Sequence, residues 1–105
     1  MLNASPAEVF AALGDPTRLA ILARLAEGEP RSITALGEGG RLTRQAVTKH
    51  LRVLEGAGLI ASRKAGREVR FAYRPDTVDE ARAYLDRVAR QWDDALGQLK
   101  AFVEK

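Results

Sequence analysis

The chain has 105 residues, 46% of them hydrophobic and 30% charged, with a formal net charge of +3, which fits one small folded domain with one modest core. It has no cysteine, and this excludes disulfides, thiolate metal sites, thiol redox sensing and cysteine nucleophiles. The N-terminus MLNASPAEVF lacks a basic segment followed by an apolar one, and no apolar run approaches the ~18 residues of a membrane span, so a soluble, cytoplasmic protein is expected.

Ser5-Pro6-Ala7-Glu8 reads as a helix start: Ser5 caps, Pro6 suits the first helical position and Glu8 completes a capping box. Val9, Phe10 and Leu13 supply the apolar stripe, and Gly14 ends the helix. Asp15-Pro16 opens a second helix by the same logic. Leu19, Ile21, Leu22 and Leu25 make it central, and Gly28 closes it before Pro30. Ser32 caps a short third helix carrying Ile33 and Leu36, which Gly37, Gly39 and Gly40 break. The Gly37–Gly40 run lacks the frame of a phosphate-binding loop and follows no strand, so it reads as a turn.

Thr43 caps a fourth helix. Val47, Leu51 and Leu54 step by four and three and face inward together, with Val53 taken as a further core residue. Arg44, Thr48 and Arg52 recur every fourth residue, flanked by Gln45 and Lys49, and form a polar stripe on the other side. Gly56 and Gly58 end the helix. Leu59–Lys64 and Glu68–Tyr73 then read as strands around an Ala65-Gly66-Arg67 turn. Val69, Phe71 and Tyr73 alternate inward, while Arg70 and Arg74 point away.

Thr77-Val78-Asp79-Glu80 reads as another capping box, and no proline follows it. From there Val78, Ala81, Leu85, Val88, Trp92, Ala95, Leu99 and Phe102 step by threes and fours, a sustained heptad seam that Leu96 and Val103 widen. Arg82, Asp86, Arg90 and Asp94 line the opposite face as a solvated charge ladder. A helix of about 28 residues is too long to bury such a seam against so small a body, so pairing with the same helix of a second subunit is expected.

Charge is distributed unevenly. Residues 41–74 hold nine basic groups (Arg41, Arg44, Lys49, Arg52, Arg63, Lys64, Arg67, Arg70 and Arg74) against Glu55 and Glu68, a net +7, while the rest of the chain totals −4. A basic middle between acidic flanks is the footprint of a polyanion partner.

Two helices joined by a short glycine-containing turn, followed by a basic hairpin, describe a winged helix-turn-helix: mostly α, with a two-stranded β-hairpin wing and a long C-terminal dimerisation helix. The layout is a single domain over 1–105, with the helix-turn-helix at about 32–57, the wing at about 59–73 and the last helix at about 77–104. A helix fills the major groove, where Arg, Gln and Thr reach base edges; basic groups on the wing add phosphate contacts.

The segments ALGDPTRLAILARL (12–25) and TRQAVTKHLRVLEGAGLIASRKAGREVRF (43–71) resemble the ArsR/SmtB family of bacterial transcriptional repressors in content and relative spacing. The resemblance implies a homodimer that binds a two-fold symmetric operator on double-stranded DNA and represses its own or a neighbouring operon until an inducer releases it. It places Thr43, Arg44, Gln45, Thr48, Lys49 and His50 on the DNA-facing helix, to which the polar stripe adds Arg52, and Arg63, Lys64, Arg67 and Arg70 on the wing. The terminal helices would form the dimer interface, with Val9, Phe10, Leu85, Val88, Trp92, Ala95, Leu96, Leu99 and Phe102.

One departure is informative. Metal sensors of that family carry cysteines in the helix before the recognition helix, or His and acidic ligands on the last helix. Here SITALGE has no cysteine and the last helix no histidine, so arsenic, zinc or copper sensing at those places is rejected and no cofactor is expected. The tail QWDDALGQLKAFVEK is similar to a subgroup without metal-binding motifs. His50, the only histidine, stays open between a packed residue and a phosphate contact. Arg18 is read as structural, and Trp92 as dimer core rather than pocket lining.

No nucleophile–base–orienter set can be assembled, so catalysis is not expected. The alternative is a helical protein-interaction adaptor using the C-terminal seam alone, which leaves the basic stripe and wing unexplained.

Overall fold

Helix caps set the frame, and four of them form as the sequence advertises. In the computed structural model, which describes residues 4–38, 40 and 42–104, α1 (Pro6–Leu13) starts at Ser5. The Ser5 hydroxyl accepts from the Glu8 amide, and the Glu8 carboxylate accepts from the Ser5 amide, both at 3.2 Å. α2 (Pro16–Ala26) is capped by the Asp15 carboxylate, which accepts from the Arg18 amide at 3.0 Å. A two-residue strand β1 (Arg31–Ser32) leads into α3 (Ile33–Gly37), capped by Ser32. α4 (Arg44–Gly56) is capped by Thr43, whose hydroxyl accepts from the Ala46 amide at 3.0 Å. Each such cap satisfies an amide that the first turn leaves without a partner, typically worth ~1 kcal/mol. Gly39 and Arg41, part of the expected glycine break and of the basic window, lie outside the described residues.

β2 (Ile60–Ala65) and β3 (Glu68–Tyr73) form the antiparallel hairpin, with Arg63 opposite Arg70 and Ala65 opposite Glu68. Gly66 turns it at φ +66°, a left-handed backbone that glycine adopts without strain. The sheet has three strands, not the two expected: β1 adds to the free side of β3, with Arg31 opposite Phe71 and Ser32 opposite Arg70, giving the order β1-β3-β2. The wing is thereby bonded to the residues that launch α3.

The core lies where α1, α2, α3 and α4 meet the base of the sheet. Leu25, Val47, Leu51, Leu54, Leu59 and Ile60 are almost completely buried there, each contributing on the order of 1.5–3 kcal/mol from burial. Three expected core residues fall outside it: Leu19, Val53 and Val69 are each about 40–50% exposed. Val69 lies far out on a hairpin that runs past the helices, and of β3 only Phe71, nearer its base, is buried. Leu19 and Val53 lie on the solvent side of helices whose inward faces are already filled by their neighbours.

α5 (Pro75–Val103) begins two residues earlier than expected, after Arg74, which makes no side-chain cap bond. Thr77 does not cap. Its hydroxyl donates to the Gly58 carbonyl at 2.6 Å, and the residue is buried. With 29 residues, α5 is about 43 Å long, and only Thr77 and Ala81 along it are buried. The molecule accordingly measures 68 × 31 × 20 Å. The expected Arg82–Asp94 ladder does not close: among the described residues its one bond is from Arg90 Nε to the Asp86 backbone carbonyl at 3.4 Å, and no ion pair joins its members.

Candidate nucleic-acid interface

α4 is held from behind and open in front. Val47, Leu51 and Leu54 fix its inner face in the core. On the outer face Arg44, Gln45, Lys49 and Arg52 are exposed and Thr48 is half-buried. With Thr43 and Ala46 these side chains line an open concavity of about 780 Å³. Among the described residues, Gln45, Lys49 and Arg52 make no side-chain hydrogen bond or ion pair, so their polar ends are available to a ligand.

The other members of the stripe are partly engaged. The Thr43 hydroxyl serves the helix cap, and Thr48 Oγ1 donates to the Arg44 carbonyl at 2.9 Å. Arg44 donates from Nη1 to Thr34 Oγ1 on α3 at 3.1 Å, one of the five donors its guanidinium carries.

His50 does not belong with them. At about 100° per residue it lies about 170° from the middle of the Arg44–Arg52 stripe. Its Nδ1 is 3.5 Å from Arg18 Nη1 and 4.0 Å from Asp15 Oδ2 at the start of α2. It joins α4 to α2, away from the open concavity, and of the two sequence readings the packed residue fits this geometry.

Two arginines of α2 set how the neighbouring helices sit. Arg18 donates from Nε to the Ala12 carbonyl at 2.7 Å and from Nη2 to the Ala11 carbonyl at 3.2 Å, closing the C-terminal end of α1. Arg24 does the same for α3, donating to the Leu36 and Ala35 carbonyls at 2.8 and 3.1 Å. A guanidinium at a helix C-terminus both fills orphan carbonyls and opposes the helix dipole. Arg18 is therefore structural, as the sequence suggested. The role of Arg24 was missed, since nothing local marks a residue that caps a helix 11 or 12 positions away. The Arg18 amide bonded to Asp15, helped by the Arg18 guanidinium nearby, holds the Asp15 carboxyl below its ordinary range.

The wing carries its charge on both faces. Arg63 and Arg70 are direct cross-strand partners on one face, Lys64 pairs with Val69 on the other, and Arg67 sits in the turn. All four basic residues are exposed. Like charges directly opposite across strands repel. Glu68 offsets part of this by accepting from Arg70 Nε at 3.1 Å, and a polyanion along that face would offset the rest. Ser62 Oγ donates to Glu55 on α4 at 2.6 Å, tying the base of the wing to the stripe-bearing helix.

The residues expected at a subunit interface divide in two. Val9 is buried in the protomer's own core, so its side chain is already covered. Phe10 is half-buried against Tyr84 of α5, ring centroids 6.1 Å apart. Val88 is half-buried, whereas Leu85, Trp92, Ala95, Leu96, Leu99 and Phe102 are exposed along α5. Among the described residues no three His, Asp or Glu side chains converge on a point that would suit a metal ion, and no helix is long and apolar enough to cross a membrane.

Residues 13–63 match a family described as a helix-turn-helix domain. The HTH-type transcriptional regulator Rv2034 of Mycobacterium tuberculosis is 38% identical over 92 residues, covering 88% of this chain and 82% of the relative. Among solved structures, an ArsR-like transcriptional regulator from Rhodococcus sp. RHA1 superposes with a TM-score of 0.84 at 36% identity, covering 92% of this chain and 91% of its own. The solution structure of the homodimeric winged helix-turn-helix DNA-binding domain of Mb0332 from Mycobacterium bovis, described as a possible ArsR-family regulator, has a TM-score of 0.64 at 27% identity, covering 81% and 78%.

Proposed function

Because this chain belongs to the ArsR/SmtB family of winged helix-turn-helix transcriptional regulators, we propose that it is a cytoplasmic homodimeric repressor that reads a two-fold symmetric operator and is released by an inducer. The observation that carries this reading is the outer face of α4. Four exposed polar and basic side chains stand on a helix anchored by a buried face, beside a hairpin with four exposed basic residues. Arg44 and Gln45 at the first turn reach base edges, where Arg forks onto guanine and Gln onto adenine. Lys49 and Arg52 further along, with Arg63, Lys64, Arg67 and Arg70 on the wing, contact phosphates and supply affinity without sequence preference.

The α5 seam pairs two copies and sets the two α4 helices about one helical turn of DNA apart (~34 Å). The homodimeric Mb0332 domain supports this arrangement. The protein acts by binding rather than by catalysis.

The test is fluorescence anisotropy on the promoter fragment upstream of the gene, titrated with salt. A dimer making several phosphate contacts should lose at least about 10³-fold in affinity between 50 and 200 mM salt. A flat salt response would replace this reading with that of a protein-binding adaptor.

A further inference from the structure

Thr77 is the only buried polar side chain among the described residues, and it sits at a junction the chain makes by a long detour. Its hydroxyl donates to the carbonyl of Gly58, two residues past the end of α4, at 2.6 Å. Gly58 is held at φ +78°, and a Cβ built there would lie 3.3 Å from Thr77 Oγ1, so turn and hydroxyl are fitted to each other. On either side the Leu59 amide donates to the Leu54 carbonyl at 3.0 Å and the Arg74 amide to the Leu59 carbonyl at 2.9 Å. Leu59 and Ile60 next to this joint are completely buried. The whole wing lies between Gly58 and Thr77 in sequence, yet the first turn of α5 is bonded directly onto the exit of α4.

We propose that Thr77 is a positioning residue: its bond to Gly58 fixes the angle between α4 and α5 and thereby the spacing of half-sites that the protein accepts. The proposal rests on the homodimeric operator-binding reading above. Apolar packing resists separation of two elements but resists their rotation weakly. A hydrogen bond is directional and weakens steeply when misaligned, and rotation about this joint would leave the buried Thr77 hydroxyl without its acceptor. The leverage is large: α4 runs 13 residues back from this joint, about 20 Å, so a tilt of about 10° about the joint moves its first turn by about 3 Å, close to the rise of one base pair.

The experiment compares wild type, Thr77→Val and Thr77→Ser on duplexes selected from random sequence by the wild-type protein. Three probes are used: the full operator, a single half-site, and operators with the half-site spacing changed by one base pair either way. Thr77→Val should remain a dimer by sedimentation and bind the single half-site within about twofold of wild type. On the full operator it should lose about tenfold or more of the gain that simultaneous engagement provides, and its preference for the native spacing should flatten. Thr77→Ser, which restores the hydroxyl, should restore that preference. If Thr77→Val is too unstable to assay, Thr77→Ala removes the same hydroxyl and takes the same readouts. A valine or alanine variant that lowers the melting temperature yet keeps the wild-type spacing preference overturns the proposal. A wild-type chain that sediments as a monomer overturns the homodimer reading itself, and does so before any variant is made.

Discussion

α4 and α5 each present to water a face that the rest of the protomer does not cover, and the two faces are opposite in kind. α4 buries Val47, Leu51 and Leu54 and exposes Arg44, Gln45, Lys49 and Arg52. α5 buries Thr77 and Ala81 and exposes Leu85, Trp92, Leu96, Leu99 and Phe102, with Trp92 64% and Phe102 77% exposed. A hydrated charged face is stable alone and can wait for a ligand that comes and goes. A row of large apolar side chains in water is unfavourable by roughly 25 cal/mol per Å² and marks a surface meant to be covered. On the proposed function, the contrast separates a transient partner at α4 from a lasting one at α5.

The contrast breaks most visibly at Trp92. Placing a carboxylate at the centre of the seam with Trp92→Asp should weaken self-association by several kcal/mol, or at least about a hundredfold in dissociation constant. Sedimentation at micromolar protein should then show monomers, and an unchanged dimer mass would end the claim that this face is covered. Matched leucine truncations sharpen the same point. Leu51→Ala removes a fully buried anchor of α4 and should cost ~2–5 kcal/mol in urea unfolding, the same at every protein concentration. Leu99→Ala, on a side chain 57% exposed in the protomer, should lower stability only through the dimer, with a loss that depends on concentration. If both losses were independent of concentration, the two faces would not differ as argued.

Smaller effects belong to the charged face. Arg44→Ala or Gln45→Ala should relax preference at one base pair by ~1–3 kcal/mol, read by competition between the selected operator and single-base variants. Arg67→Ala in the wing turn should weaken binding to all sequences alike and lower the salt slope by about one. An Arg67→Ala variant that changed sequence preference would mean that the wing reads bases.

What the sequence disclosed were the features that are local. Ser5, Asp15, Ser32 and Thr43 announced their helices because an N-cap bonds an amide only three residues on. The inward face of α4 and the α5 seam were visible because periodicity survives any tertiary arrangement. Features set by distant partners were not visible. A two-residue strand at Arg31–Ser32 has no alternation to detect, and its partner Phe71 is 40 residues away. Thr77 imitates a capping box, yet its hydroxyl goes to Gly58, 19 residues back. Leu19, Val53 and Val69 are apolar in sequence and exposed in space, the first two on the solvent side of their helices and Val69 beyond the reach of the helices that cover the base of the hairpin. In the candidate interface the stripe was legible as a helix face. The turn of His50 toward Asp15 and Arg18 depends on where α2 packs, which no spacing within residues 43–52 encodes.

The smallest expected effect is acid sensitivity, and it separates the supports of the two helices. Asp15, whose carboxylate faces His50 of α4, is lowered from its ordinary value of 3.8 chiefly by the Arg18 amide. Asp76, in the first turn of α5, is lowered from the same value chiefly by the hydrogen bond from Arg74, 2.8 Å away. A carboxyl lowered in the folded state adds stability that is fully present above its unfolded value and is lost as pH falls through the folded one. Melting temperature should therefore show no contribution from these groups between pH 5 and 8, and should begin to fall near pH 4. Asp15→Asn keeps a capping acceptor but no charge, so it should reduce the acid decline set at the α2–α4 junction. Asp76→Asn should reduce only the part set at the start of α5. Because both carboxylates are solvent-accessible and screened, each change should be modest and should shrink further in high salt. An acid decline that neither substitution alters would place the acid-sensitive contact elsewhere in the molecule.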